Sequence, residues 1–167
     1  MSLQSLILKI ETFISNPSEG LPEEIFLFIS KITPLINVDL LIKNDKNETL
    51  LTWREDKYYG PGWHVPGGII RYKEPIKERI HKVALTELGA EVEFDPEPLC
   101  INEIIVERRE RGHFISLLYK CKLLSPPTEK LKYKGFHKPK NGEWMWHRNS
   151  PENLIPVHEI YRKYIDS

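Results

Sequence analysis

The chain has 167 residues, 40% hydrophobic and 29% charged, enough for one domain with its own core, too short for two ordinary ones, and unlike a disordered chain. Lysine plus arginine and aspartate plus glutamate balance at 24 each, which argues against nucleic acid or an anionic membrane as partner. Cys100 and Cys121 show no CxxC or metal-type spacing, so a disulfide framework is not expected; two buried thiols and a cytoplasmic location are.

Leu3, Leu6, Ile7, Ile10, Phe13 and Ile14 recur at helical spacing, and Asn16-Pro17-Ser18 ends that amphipathic helix. The run lacks a basic start, an unbroken apolar stretch and a small-residue cleavage site, so it does not read as a secretory signal. Pro22-Glu23-Glu24 starts a second helix that reaches Pro34. Residues 35–54, "LINVDLLIK" and "TLLTWR" around the turn "NDKNE", read as a hairpin. "EDKYYGPG" is a loop, and "WHVPGG" a short strand ending in a turn. A helix follows over Glu74–Leu88, with Gly89 as its C-terminal stop. "LCINEIIVE" and "HFISLLYKCKLL" are strands joined by the charged turn "RRERG". "SPPTEKLKYKGFHKPKNG" is a long polar loop, "EWMWH" a last strand and "SPENLIPVHEIYRKYI" a C-terminal helix. The order α-α-β-β-β-α-β-β-β-α predicts an α/β or α+β sandwich with mixed strand pairing.

The chemistry gathers around residues 66–90. Pro66-Gly67-Gly68 permits a tight turn with exposed carbonyls, and the helix after it presents Glu74, Glu78, Lys82 and Glu87. A hard cation takes oxygen ligands, so a glycine carbonyl and Glu87 form a plausible pair. The competing reading is a plain turn before a solvated charged helix face.

The spacing resembles the box of the Nudix hydrolases, Gly-x5-Glu-x7-Arg-Glu-U-x-Glu-Glu-x-Gly-U, running from Gly68 through Glu74 to Glu87-Leu88-Gly89-Ala90. Its Arg-Glu-U-x-Glu-Glu part reads Lys82-Val83-Ala84-Leu85-Thr86-Glu87, so Val83 and Thr86 replace two acids expected to bind magnesium. The GDP-mannose mannosyl hydrolases are similar in this, keeping only the last glutamate. "GWHVPGG", Arg54 and the entry into the first strand at Thr33–Leu40 extend the resemblance over about residues 30–155.

What the resemblance implies is an α/β/α sandwich with a mixed sheet over 34–167; the helical pair in 1–33, additional to the family, is expected to pack on it. It implies Mg2+-dependent hydrolysis of a nucleoside diphosphate sugar by a homodimer. Gly67 and Glu87 would bind the metal, and Asp39 and Arg54 the substrate, with Arg54 reaching across the dimer interface. Lys82 stands for an arginine that helps the diphosphate leave, keeping its charge and losing its fork. Ile69 replaces another family arginine, for which Arg71 is the nearest stand-in. The family's Gln-His pair in the last loop is absent, leaving His137 or Glu143 as candidate base.

His113 matches a histidine-aromatic pair of the family and otherwise reads as a strand-end surface residue. His81 reads as a solvated or packing residue, and His64 faces either the cleft or the opposite layer. Tyr58, Tyr59 and Trp63 read as packing anchors or stacking partners for a base, and Trp144 and Trp146 as core.

Overall fold

A computed structural model of the chain describes residues 2–107 and 110–167. Two sheets and two flanking layers build the molecule. The first strand, β1 (Leu35–Ile42), lies inside the larger sheet between β4 (Gly67–Ile69), antiparallel to it, and β7 (His113–Leu123), parallel to it. β5 (Val92–Phe94) and β6 (Cys100–Ile105) both pair antiparallel with β7, β6 along its first half and β5 at its end. A smaller antiparallel sheet has the order β3 (Gly62–His64), β2 (Thr49–Arg54), β8 (Trp144–His147).

β1 is covered on both faces, which is why its sequence is a near-continuous apolar run. Val38, Leu40 and Ile42 pack with Ile80, Val83, Ala84 and Leu88 of the central helix. The alternate residue Leu41 packs with Leu118, Tyr161 and Ile165 on the other side. The result is the α/β/α sandwich with a mixed sheet that the sequence predicts.

Several elements differ from expectation. Residues 35–54 are not a hairpin: β1 and β2 meet only at the Lys43–Thr49 bridge and then part into different sheets. Both strands carry buried residues on both faces, and each finds other partners. Gly67 and Gly68 are not a turn but open β4, an element the sequence reading missed along with β5. Their glycine character serves close approach instead. A Cβ on Gly67 would lie 2.1 Å from Asp39 Oδ1, and one on Gly68 would lie 2.8 Å from Val83 Cγ2.

The central helix is α3 (Ile76–Val83), starting two residues later than expected, after Pro75. It ends in a wide π turn over Ala84–Leu88, closed by Gly89 at φ 63°. The C-terminal helix is shorter than expected: a 3-10 segment at Pro156–Tyr161 runs into α4 (Arg162–Ile165). The charged turn expected at 108–112 lies partly outside the described residues.

The N-terminal helices are α1 (Leu3–Glu11) and α2 (Glu23–Ile29). Phe26 of α2 packs beside Leu35, Tyr59 and Phe114, whereas α1 has no buried residue. Cys121 is buried, Cys100 half-buried, and both are free thiols. Among the described residues no helix is long and apolar enough to cross a membrane.

Candidate active site

The site lies where the edge of the larger sheet meets the π turn. The 38–68 pair of the antiparallel β1–β4 ladder is flanked by the bonds Leu40 N–H to Pro66 O and Ile70 N–H to Ile36 O. Asp39 and Gly67 are therefore a non-hydrogen-bonded pair, and Gly67 turns its N–H and C=O away from β1. The N–H donates to Glu87 Oε1 at 3.1 Å. The carbonyl is left for another partner.

Glu87 is also tied to the smaller sheet. Thr52 Oγ1 donates to Glu87 Oε2 at 3.2 Å and stands 2.8 Å from His64 Nε2. Burial pushes the Glu87 carboxyl up to about 7, against the Gly67 and Thr52 hydrogen bonds and the Arg54 charge, with Asp39 adding to the rise. His64 is kept neutral by burial and by its like neighbours His158 and Arg54. His158 accepts from Val65 N–H through Nδ1 at 3.0 Å, which leaves its proton on Nε2, and burial followed by Arg54 takes its pKa down to about 3.

Asp39 faces the same cleft. Its Oδ2 accepts from Ser116 Oγ, from Tyr161 Oη at 2.5 Å and from Asn37 Nδ2 at 2.9 Å. Burial outweighs these bonds and pushes its carboxyl up to about 6. Oδ1, against Gly67, makes no hydrogen bond among the described residues. Arg54 lines the cleft with its guanidinium on Asp56 at 2.6 Å and over the Tyr59 ring at 5.0 Å.

The structure thus brings Asp39, Arg54, Gly67 and Glu87 together, with His64 and His158 added. Other predicted residues lie elsewhere. Lys82 pairs with the buried Glu74 at 2.9 Å and does not line the cleft. Arg71 lines a second cavity, beside Gly20. His113 pairs with Glu103 at 3.2 Å and faces the segment before β1. His137 and Glu143 stand 3.5 Å from each other in the long loop, and neither lines the cleft. His81 sits edge-on against Phe94, as a packing residue. Tyr59 contributes to the cleft wall, while Trp63 and Trp144 belong to the core.

The two replaced box acids have structural explanations. Val83 is buried against Gly68, and the Thr86 hydroxyl donates to the Lys82 carbonyl at 2.7 Å. Glu74 is occupied too, accepting from Arg71 N–H, Arg79 and Lys82. Among the described residues no group of three or more His, Cys, Asp and Glu is placed to hold a metal. The donors that remain are the Glu87 carboxylate, the Gly67 carbonyl and Asp39 Oδ1 beside it. Oxygen donors so few suit Mg2+, which keeps several waters and binds through one or two carboxylates plus substrate phosphate. Sequence reasoning missed His158, which lines the cleft, and Thr52, Ser116 and Tyr161, which hold Glu87 and Asp39 from positions far apart in the chain; no local signal marks them.

No protein-family model matches the chain. It is 31% identical over 80 residues to the low-salt glycan biosynthesis protein Agl8 of Haloferax volcanii, an alignment covering 48% of this chain and 51% of that protein. The chain thus spans about half the length of that curated relative. Among solved structures, a MutT NUDIX hydrolase from Burkholderia pseudomallei superposes with a TM-score of 0.61 at 19% identity, over 78% of this chain and 97% of that one. A UDP-X diphosphatase superposes with a TM-score of 0.59 at 20% identity, over 98% of this chain and 75% of that one. The fold is the Nudix fold.

Proposed function

We propose that the chain is a Mg2+-dependent hydrolase of nucleoside diphosphate sugars, of the GDP-mannose or GDP-glucose type, acting as a homodimer. The observation that carries this reading is that Asp39, Arg54 and Gly67 line one cleft of the Nudix fold and Glu87 lies directly behind it, bonded to the Gly67 N–H. Water attacks the anomeric carbon, the bond from that carbon to the diphosphate oxygen breaks, and the nucleoside diphosphate leaves with the electron pair. Arg54 faces the departing diphosphate, where charge stabilisation is commonly the largest catalytic term. Asp39 lines the cleft, and its Oδ1, which makes no hydrogen bond among the described residues, takes the proton of the attacking water. Glu87 and the Gly67 carbonyl would hold Mg2+, which when bound neutralises charge on the diphosphate. A degenerate box suits this chemistry, since one metal on a leaving group needs fewer acids than attack at phosphorus.

Product analysis after incubation with NDP-sugars and Mg2+ tests the reading. Release of nucleoside diphosphate and free sugar supports it. Nucleoside monophosphate with sugar phosphate would identify a diphosphatase acting between the phosphates. A second reading, a non-catalytic nucleotide-sugar-binding protein, is favoured by the absence of His137 and Glu143 from the cleft lining; binding without any turnover would support it.

A further inference from the structure

The cleft at Asp39 has a volume of about 160 Å3, well under the roughly 300 Å3 at which ligand pockets begin. Beside it lies a second cavity of about 440 Å3, between the N-terminal segment and the strand-to-helix loop after β4. Leu21, Phe26 and Ile29 form one wall of this cavity, and Ile70, Arg71 and Tyr72 the other. Ile69 and Arg111 line both spaces.

Arg111 is the unusual member. Its backbone takes φ 53°, a left-handed conformation costly for a long side chain. Ser30 Oγ accepts from its N–H at 3.1 Å, and Tyr59 Oη donates to its carbonyl at 3.0 Å. Its guanidinium carbon stands 4.8 Å from the Tyr58 ring centre, 5.3 Å from Tyr59 and 5.8 Å from Phe26. Arg54 lies against the same Tyr59 ring. Two like charges therefore share one aromatic ring. Arg111 Nε is buried with no hydrogen-bond partner, and among the described residues no carboxylate pairs with the group. A buried guanidinium N–H without an acceptor favours an anion beside it.

The geometry points to one extended ligand across both spaces: a nucleoside diphosphate derivative whose diphosphate lies between Arg54 and Arg111 and whose nucleoside fills the second cavity, against Tyr72 and the N-terminal segment. The inference rests on the functional reading above. It gives residues 17–30 a task, which is to wall the nucleoside and to fix Arg111 through Phe26 and Ser30. The segment is shaped for this. Gly20, at φ 129°, lets the chain pass where a Cβ would lie 2.9 Å from an Arg71 guanidinium nitrogen.

Calorimetric binding of GDP, ADP, UDP and inorganic pyrophosphate, with Mg2+ present, tests it on the wild type and on Leu21→Trp, Tyr72→Ala and Arg111→Lys. Leu21→Trp, which fills the cavity, and Tyr72→Ala, which removes a stacking face, should each weaken the tightest-bound nucleotide by about tenfold or more while leaving pyrophosphate affinity within about twofold. Arg111→Lys should weaken nucleotide and pyrophosphate alike, because the fork is lost. Should Leu21→Trp fail to fold by thermal melting, Tyr72→Ala decides alone, since that side chain is 62% exposed. Nucleotide affinity unchanged in the folded cavity variants overturns the inference and leaves the functional reading standing. A wild type that binds neither pyrophosphate nor any of the three nucleotides overturns both.

Discussion

At the residue scale, two buried acids, Asp39 in the cleft and Glu74 before α3, are shaped by what surrounds them. Asp39 commits one oxygen to three donors and keeps the other open beside Gly67. Asp39→Asn keeps the size and retains an acceptor for Ser116 and Tyr161, but it takes no proton. Steady-state kinetics should show kcat lower by about a hundredfold or more with KM little changed; a rise in KM alone would make Asp39 only a substrate contact. Glu74, by contrast, is a structural acid. Burial works to raise its pKa, but the Arg71 N–H, Lys82 and Arg79 outweigh that and hold the carboxyl at about 2. A folded pKa below the unfolded one gives stability that is present above the unfolded pKa and is lost as pH falls, here between about pH 5 and pH 2. The shift corresponds to about 3 kcal/mol. Glu74→Gln should therefore lower the unfolding free energy by that order at pH 7, and the difference from wild type should shrink toward pH 2 in denaturant titrations. A pH-independent difference would mean that the loop geometry, and not the charge, carries the effect.

At the element scale, the sequence showed the central helix, the β6–β7 pair and the last strand through periodicity, because each is set by its own residues. It misread β1 and β2 as partners because strand periodicity says nothing about which strand lies alongside. It took Gly67-Gly68 for a turn because a glycine pair signals turning and close approach equally, and only the third dimension shows Asp39 and Val83 pressing on them. Glu87 and Gly67 were legible from spacing, whereas Thr52, His158 and Arg111 depend on contacts between distant elements. The stripe of α1 was legible too, yet its Leu3, Leu6 and Ile7 are 74%, 39% and 46% exposed. An apolar face of that kind supports the proposed homodimer. Ile7→Glu should turn the dimer into a monomer in sedimentation equilibrium without lowering the melting temperature measurably. A dimer that persists in Ile7→Glu would place the interface elsewhere.

At the scale of the whole molecule, two sheets and a π turn hold the Glu87 and Asp39 carboxylates beside the Gly67 carbonyl, and among the described residues no larger cluster of metal ligands joins them. The account therefore makes Mg2+ binding a property of the complex with substrate and not of the chain alone, because diphosphate and water must complete the shell. Isothermal titration of Mg2+ with and without GDP, on wild type and Glu87→Gln, measures this directly. The account predicts weak binding to the free protein, a gain of about tenfold or more with GDP present, and loss of that gain in a Glu87→Gln variant that still folds. Equal Mg2+ affinity with and without GDP, or an undiminished gain in Glu87→Gln, would contradict it and return Glu87 to the status of a hydrogen-bonded acid at the end of a helix.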